Sequence, residues 1–303
     1  MKNYLINNPP IWFIAIVLIF GASCLGVSPF FVRISEVGPT ATAFWRSAIA
    51  VPVIFFIIKI YQSKPINLKF NKNIFILALP GIFLGIDHAA WHHGIMLTSV
   101  ANATLFACMA PVFVVLYGWF FFSRKVSLQF IICLILVIIG SFILFYDSLE
   151  FSKAKVLGDL WSLFAGACYA GYLLFTGIIR DGKLNSFVIL FYASFFSALI
   201  IFVIFLFTEE KFFPQTVNGI LVIFGISIIS QIIGIGSITW ALGKVKTSLA
   251  SLTLMSEPLT AAILGIFLLG ELLSIMQILG GIVILVGILI AQNNSELKGK
   301  VNL

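Results

Sequence analysis

Charge is what this sequence lacks most. Of its 303 residues only 10% are Asp, Glu, Lys or Arg, while 61% are hydrophobic. A soluble domain averages roughly 25% charged residues, so a water-soluble fold of this length is excluded for want of polar surface. Long linkers and low-complexity tails are also missing, which excludes a string of soluble domains. Cysteine is sparse: Cys24, Cys108, Cys133 and Cys168 all sit in apolar stretches and none forms a Cys-x-x-Cys pair. They read as small buried side chains rather than disulfides or metal ligands. No phosphate-binding loop is present, so ATP hydrolysis by this chain is not expected. Gly-x-Ser-x-Gly, His-Glu-x-x-His and paired-aspartate motifs are missing too, and no cofactor is implied. The net charge of +7 does not point to nucleic acid, because membrane proteins collect Lys and Arg in their cytoplasmic loops.

What is there is a series of long apolar runs. A membrane-spanning helix needs about 20 mostly apolar residues, and ten runs qualify: 11–31, 41–61, 74–97, 100–122, 128–146, 157–179, 186–207, 217–242, 248–269 and 274–291. Turn signals such as Gly38-Pro39, Ser63 to Pro65 and Asp181-Gly182 bound them. Short loops predict that sequential helices are neighbours. A β-barrel would alternate apolar and polar residues, and these runs do not. No small-residue cleavage site follows the N-terminal segment, so the first span is expected to stay in the mature protein. The expected fold class is all-α: a polytopic membrane protein of ten transmembrane helices.

With the N-terminus in the cytoplasm, most basic residues fall inside: Lys2, Lys59, Lys64, Lys69, Lys72, Arg124, Lys125, Arg180, Lys183, Lys244, Lys246, Lys298 and Lys300. Outside are Arg33, Lys153, Lys155 and Lys211. This bias predicts both termini in the cytoplasm, in a multi-pass protein of the cell inner (plasma) membrane.

The chain also repeats itself. At one constant spacing, with no gap, Ala103 matches Ala250, Pro111 matches Pro258, Ser127 matches Ser274, Ile131 matches Ile278 and Gly140 matches Gly287. At a slightly shorter spacing, Gly21-Ala22 and Gly26 match Gly166-Ala167 and Gly171. The expected organisation is two five-helix repeats, 1–150 and 151–303. Five is odd, so the second repeat must cross the membrane in the opposite sense to the first. Arg124-Lys125 in one loop against Glu271 in its mate is the clearest trace of that inversion. Inverted repeats are a transporter architecture, with the solute site near the midplane between them.

The segment Ser256 to Ile290 and its counterpart Ser99 to Phe120 carry a mid-helix Pro, a Gly-Glu at the loop (in the second segment only) and a Gly-rich last helix. On these residues, and on Arg46 at the start of span two, the chain resembles the drug/metabolite transporter superfamily in its ten-span EamA-type branch. The resemblance covers essentially the whole chain. It implies two EamA-like repeats, a small-molecule solute and no enzymatic activity.

Few charges fall within the spans. Asp87 and Glu257 sit near the middle of theirs, where a charge costs roughly 2.5–3.5 kcal/mol even on lenient scales. Such residues are functional candidates by default. Asp87, His88, Trp91, His92 and His93 form the densest cluster and include all three histidines of the protein. His88 and His92 share a helical face, as do Asp87 and Trp91. A carboxylate beside imidazoles suits a solute-contacting or proton-relay face; histidines satisfied by neighbouring helices are the structural alternative. Glu257 precedes Pro258, and a proline kink beside a midplane carboxylate suits a gate or an ammonium site. Pro111 is the repeat mate. Arg46 could meet a solute carboxylate or extend to the interface. Asn102, Tyr169, Gln231 and Trp240 are further cavity candidates, although such groups often pack between membrane helices instead.

The reading these residues support is a secondary active transporter of a small, polar, amino-acid-like metabolite. It is expected to export by alternating access, with protons as a candidate coupling ion. Its two halves should rock about a cavity lined by spans one, three, four, six, eight and nine, in a monomer or homodimer. The alternatives are an intramembrane enzyme using Asp87, His88 and His92, or a non-transporting membrane scaffold.

Overall fold

Lipid offers no partner to a free backbone N–H or C=O, so an apolar run must close its own hydrogen bonds as a helix. The computed structural model describes residues 9–61, 74–123, 126–146, 155–181, 184–260, 263 and 274–293. Among these residues there are only helices and turns, and no strand. Among the described residues nine helices are long and apolar enough to cross a membrane: Ile11–Arg33, Pro39–Ile60, Ile74–Leu97, Val100–Phe122, Leu128–Phe145, Val156–Arg180, Ser186–Phe205, Val217–Ala241 and Ile275–Asn293. They correspond to spans one to eight and span ten. Span nine, expected over 248–269, is described from Thr247 to residue 260 and at residue 263. Its remainder lies outside the described residues, as do Arg124, Lys125 and Glu271.

Spans four and nine differ from the expected kinked helices: they are interrupted. Span four consists of Val100–Ala107 and Ala110–Phe122, parted by a turn at Cys108-Met109. In span nine, Thr247–Leu254 ends in a turn at Met255-Ser256, and helix resumes over 257–260. The prolines explain this. Proline donates no hydrogen bond and clashes with the carbonyl four residues earlier, but it is tolerated in a helix's first turn. The breaks place Pro111 and Pro258 at the second position of a new helix, where neither penalty applies. Span one breaks in the same way at Val27, ahead of Pro29. Span eight contains a widened π-helical stretch, Ile226–Ile235, a feature frequent at functional sites.

The expectation that sequential spans lie side by side is also corrected. The most extensive contacts join opposite repeats. Span three lies along spans six and seven, span two along seven and eight, span one against eight and nine, span four against six, and span five against ten. Small residues permit these crossings. A Cβ on Gly81 of span three would lie 2.8 Å from the Ala193 carbonyl of span seven. One on Gly140 of span five would lie 2.9 Å from the Ile284 nitrogen of span ten. The repeats therefore interlock rather than meet at a single face.

Candidate functional site

The interrupted spans converge on one cavity. About 60 Å³ of it is reachable by the centre of a water molecule, room for roughly four to six waters at about 10–15 Å³ each. Span one contributes Leu25 and Ser28, and span three contributes Asp87, His88 and Trp91. The broken part of span four supplies Ala107, Cys108, Ala110 and Pro111. Tyr169 and Leu173 come from span six, and Ile235 from span eight. Span nine adds Ser251, Leu254, Met255 and Glu257, the last at the restart of its helix. These are the six spans expected to line a cavity, and Arg46 adds span two.

One base and two acids thus share a small chamber. Arg46 lies within electrostatic reach of both Asp87 and Glu257. Arg46 is 3% exposed and Asp87 8% exposed. Among the described residues the Asp87 carboxylate has no hydrogen-bond donor, and the imidazole Nε2 of His88 lies 3.9 Å from it. Around it, Arg46 Nε, His88 Nε2, Trp91 Nε1 and the Tyr169 hydroxyl are buried with no hydrogen-bond partner among the described residues. A folded protein rarely leaves buried polar atoms unpartnered, and each such group needs a reason. Four of them lie around one chamber, beside two carboxylates, in an otherwise mostly apolar lining. Tyr169 is held by stacking on Tyr172 at 5.6 Å, and the Tyr172 hydroxyl is 2.8 Å from Thr239 Oγ1.

The structure places the remaining candidates elsewhere. His92 leaves the cavity wall: its Nδ1 is 3.1 Å from the Pro39 carbonyl of span two. Asn102 donates to Asp159 Oδ1 at 3.0 Å, near the start of span six. Gln231 donates to Ser194 Oγ at 3.1 Å, joining spans eight and seven. Trp240 packs edge-on against Phe13, with the Lys244 ammonium over its ring. Pro258 sets the restart of span nine and is not in the cavity lining. Among the described residues no three His, Cys, Asp or Glu side chains converge as a metal ion would require.

Several polar residues at one end of the bundle carry little sequence signal because each looks like an ordinary loop residue. Glu210, between spans seven and eight, accepts from Thr40 Oγ1 at 2.8 Å and the Ala41 amide at 2.9 Å, so it caps span two. Glu36, between spans one and two, reciprocates: it accepts from the Gln215 and Thr216 amides and the Thr216 hydroxyl, at the start of span eight. The Thr216 hydroxyl, then its amide, hold the Glu36 carboxyl below the usual carboxylate range. Asp159 accepts from Thr98 Oγ1 at 2.7 Å as well as from Asn102, which ties the start of span four to span six. Arg33 donates to the Thr98 carbonyl at 2.7 Å. Helix termini leave four N–H groups without intrahelical partners, and here acids from the opposite repeat satisfy one at span two, on Ala41, and one at span eight, on Thr216.

An all-helical membrane protein with interrupted spans around a cavity that holds a few charged groups defines the class: a multi-pass membrane protein with the architecture of a transporter. The model of the EamA-like transporter family matches twice, over residues 12–146 and 156–292. The chain belongs to that family. It is 26% identical over 210 residues to an "Uncharacterized transporter" of Archaeoglobus fulgidus, covering 69% of this chain and 73% of that one. It is 27% identical over 197 residues to "Uncharacterized transporter YwfM" of Bacillus subtilis (strain 168), covering 64% of each. A crystal structure 16% identical in sequence superposes with a TM-score of 0.73 over 94% of this chain and 97% of that one. At that identity the match establishes the fold only.

Proposed function

We propose that this membrane transporter is a secondary active exporter of a small amino-acid-like metabolite. It sits in the inner membrane with both termini cytoplasmic. The observation that carries the reading is the cavity at the broken spans, where Arg46, Asp87 and Glu257 lie beside buried polar atoms that have no hydrogen-bond partner among the described residues. A zwitterion complements that lining. Its carboxylate meets Arg46, and its ammonium meets Asp87 or Glu257. One basic and two acidic groups leave one carboxylate in excess, available for a proton in one half of the cycle. Discontinuous helices suit such a site, because irregular backbone at membrane depth is tolerated where it lines a cavity. Alternating access then moves bundles that mix helices of the two repeats, since the repeats interlock.

The test has two stages. A metabolite panel is screened for thermal stabilisation of the purified protein; a solute at 100 times its Kd adds about 2.7 kcal/mol of apparent stability. Flux of the stabilising solute is then measured in proteoliposomes with and without a pH gradient. The expected result is gradient-dependent flux in the wild type, lost or uncoupled in Asp87→Asn and Glu257→Gln. Flux indifferent to the gradient, with both variants matching wild type, would refute the coupling.

A further inference from the structure

Alternating access assigns no role to His92, His93 or Glu210, yet with His88 these residues succeed one another from the cavity to the loop end of the bundle. Asp87 Oδ2, in the cavity, is 3.9 Å from His88 Nε2. The His88 and His92 rings are 6.2 Å apart, one helical turn along. Both rings are buried, and each has an Nε2 with no hydrogen-bond partner among the described residues. The other nitrogen of each is anchored: His88 Nδ1 is 3.5 Å from Ser47 Oγ, and His92 Nδ1 is 3.1 Å from the Pro39 carbonyl. His93 follows, with its side chain 36% exposed. Its Nε2 is 3.0 Å from Thr40 Oγ1, which donates to Glu210 Oε1 at 2.8 Å. Glu210 is 3.9 Å from the same nitrogen. The line runs from the solute chamber to the loop end of the bundle.

We propose that Glu210, His93, His92 and His88 are a proton path linking the aqueous phase at that end to Asp87. Chains of Asp, Glu and His within membrane segments serve as proton relays in pumps and transporters. His88 and His92 each take a proton on the free Nε2 and pass it on from the same nitrogen, while the anchored Nδ1 keeps its contact. One proton enters from water at Glu210 or His93, the Asp87 carboxylate becomes the acid, and every intermediate group returns to its starting state. The gaps longer than a hydrogen bond are closed by ring rotation or by one bridging water.

The other charged groups around span three are accounted for. Arg46 of span two lies within electrostatic reach of both His88 and His92, and Glu257 within reach of Asp87. Arg33 and Asp159 are engaged at Thr98. Glu209 and Lys211 flank Glu210, and the described helix of span seven, Ser186–Phe205, carries no charged side chain.

The inference rests on Asp87 being the proton acceptor of the proposed cycle, but its test needs no solute. The full-length protein in liposomes is given a rapid pH drop while the carboxylic C=O stretch is followed by time-resolved infrared spectroscopy. The Asp87 component is identified by its loss in Asp87→Asn. In His93→Gly and Glu210→Gln the band is expected to rise about 100-fold more slowly, the lower end of what a positioned acid–base group contributes. Its final amplitude should be unchanged, and imidazole in the buffer should restore the rate of His93→Gly. His93→Gln keeps the contact with Thr40 but cannot relay, so it must also be slow; it carries the test if His93→Gly does not fold. Wild-type rates in these variants, no Asp87 band in the wild type, or slowing that imidazole does not rescue would each overturn the path. A normal relay beside solute flux that ignores the pH gradient would instead remove the coupling and leave the path standing.

Discussion

Gly166 offers the sharpest check on how the interrupted span four is held. This glycine of span six packs against the last carbonyls before the break. A Cβ there would sit 2.8 Å from the Ala107 oxygen and 3.1 Å from the Phe106 oxygen. Both are backbone atoms of Val100–Ala107, a short helix already tied to span six through Asn102 and Asp159, so neither can move aside alone. Gly166→Ala therefore overpacks the crossing, at a cost of about 1–3 kcal/mol. Against this stands the gain from replacing glycine within a helix, about 1 kcal/mol. The net expectation is a loss of roughly 0–2 kcal/mol. Gly236, in span eight, is the matched control. It has ordinary helical angles, φ −63° and ψ −44°. Its added Cβ would meet only Leu190 Cδ2, at 3.2 Å, the movable end of a flexible side chain. Gly236→Ala should gain up to about 1 kcal/mol. The helix-propensity gain is common to both variants, so the difference between them isolates the clash with the break. Thermal unfolding of both variants, in one detergent and at one scan rate, should move their midpoints apart, with Gly166→Ala the lower. If Gly166→Ala matches or exceeds Gly236→Ala, the backbone at the break is not held against span six and the reasoning fails.

Other expectations follow from the same contacts. Asp159→Ala removes the acceptor for Thr98 and Asn102; a hydrogen bond to a charged group contributes about 1.5–3 kcal/mol, so a lower unfolding midpoint should accompany looser protection of the start of span four in hydrogen exchange. Glu36 is depressed in the folded state, so its stabilisation is full above its ordinary value of 4.5 and is lost as the pH falls through the lowered one. The difference in unfolding midpoint between wild type and Glu36→Gln should therefore shrink in acid, and a difference independent of pH would contradict the contact. Cys108 is the one cysteine in the cavity lining described. With the other three replaced, a small cationic thiol reagent should label it, and a stabilising solute should slow the labelling; labelling at an unchanged rate would place the solute elsewhere.

How much was legible before any coordinates differs from element to element. The apolar runs marked nine spans closely, because a backbone in lipid has no alternative to closing its own hydrogen bonds. Arg46, Asp87, His88, Trp91, Tyr169, Glu257 and Pro111 were each suspect on sequence grounds, and the fold gathers all seven around one chamber. Their chemistry made them visible: a polar group in a long apolar run is costly, so it stands out. His92, Asn102, Gln231 and Trp240 stood out for the same reason, but residue type does not tell a cavity-facing group from one that bonds a neighbouring helix. Glu36, Asp159 and Glu210 gave little warning, since their partners are up to 180 residues away along the chain.

Ten spans of apolar sequence, an internal repeat and a handful of misplaced charges were thus determined by the sequence itself, because hydropathy and repetition are properties of the chain alone. Two matters were decided only by tertiary structure. One is the interlocking of the repeats, which depends on where glycines meet backbone from the other half of the chain, as Gly81 meets Ala193 and Gly140 meets Ile284. The other is the conversion of two expected kinks into breaks. Proline forbids a regular helix at Pro111 and Pro258, but kink and break both satisfy that rule. The break prevails where the turn can line a chamber, and that depends on helices brought together from both halves of the chain.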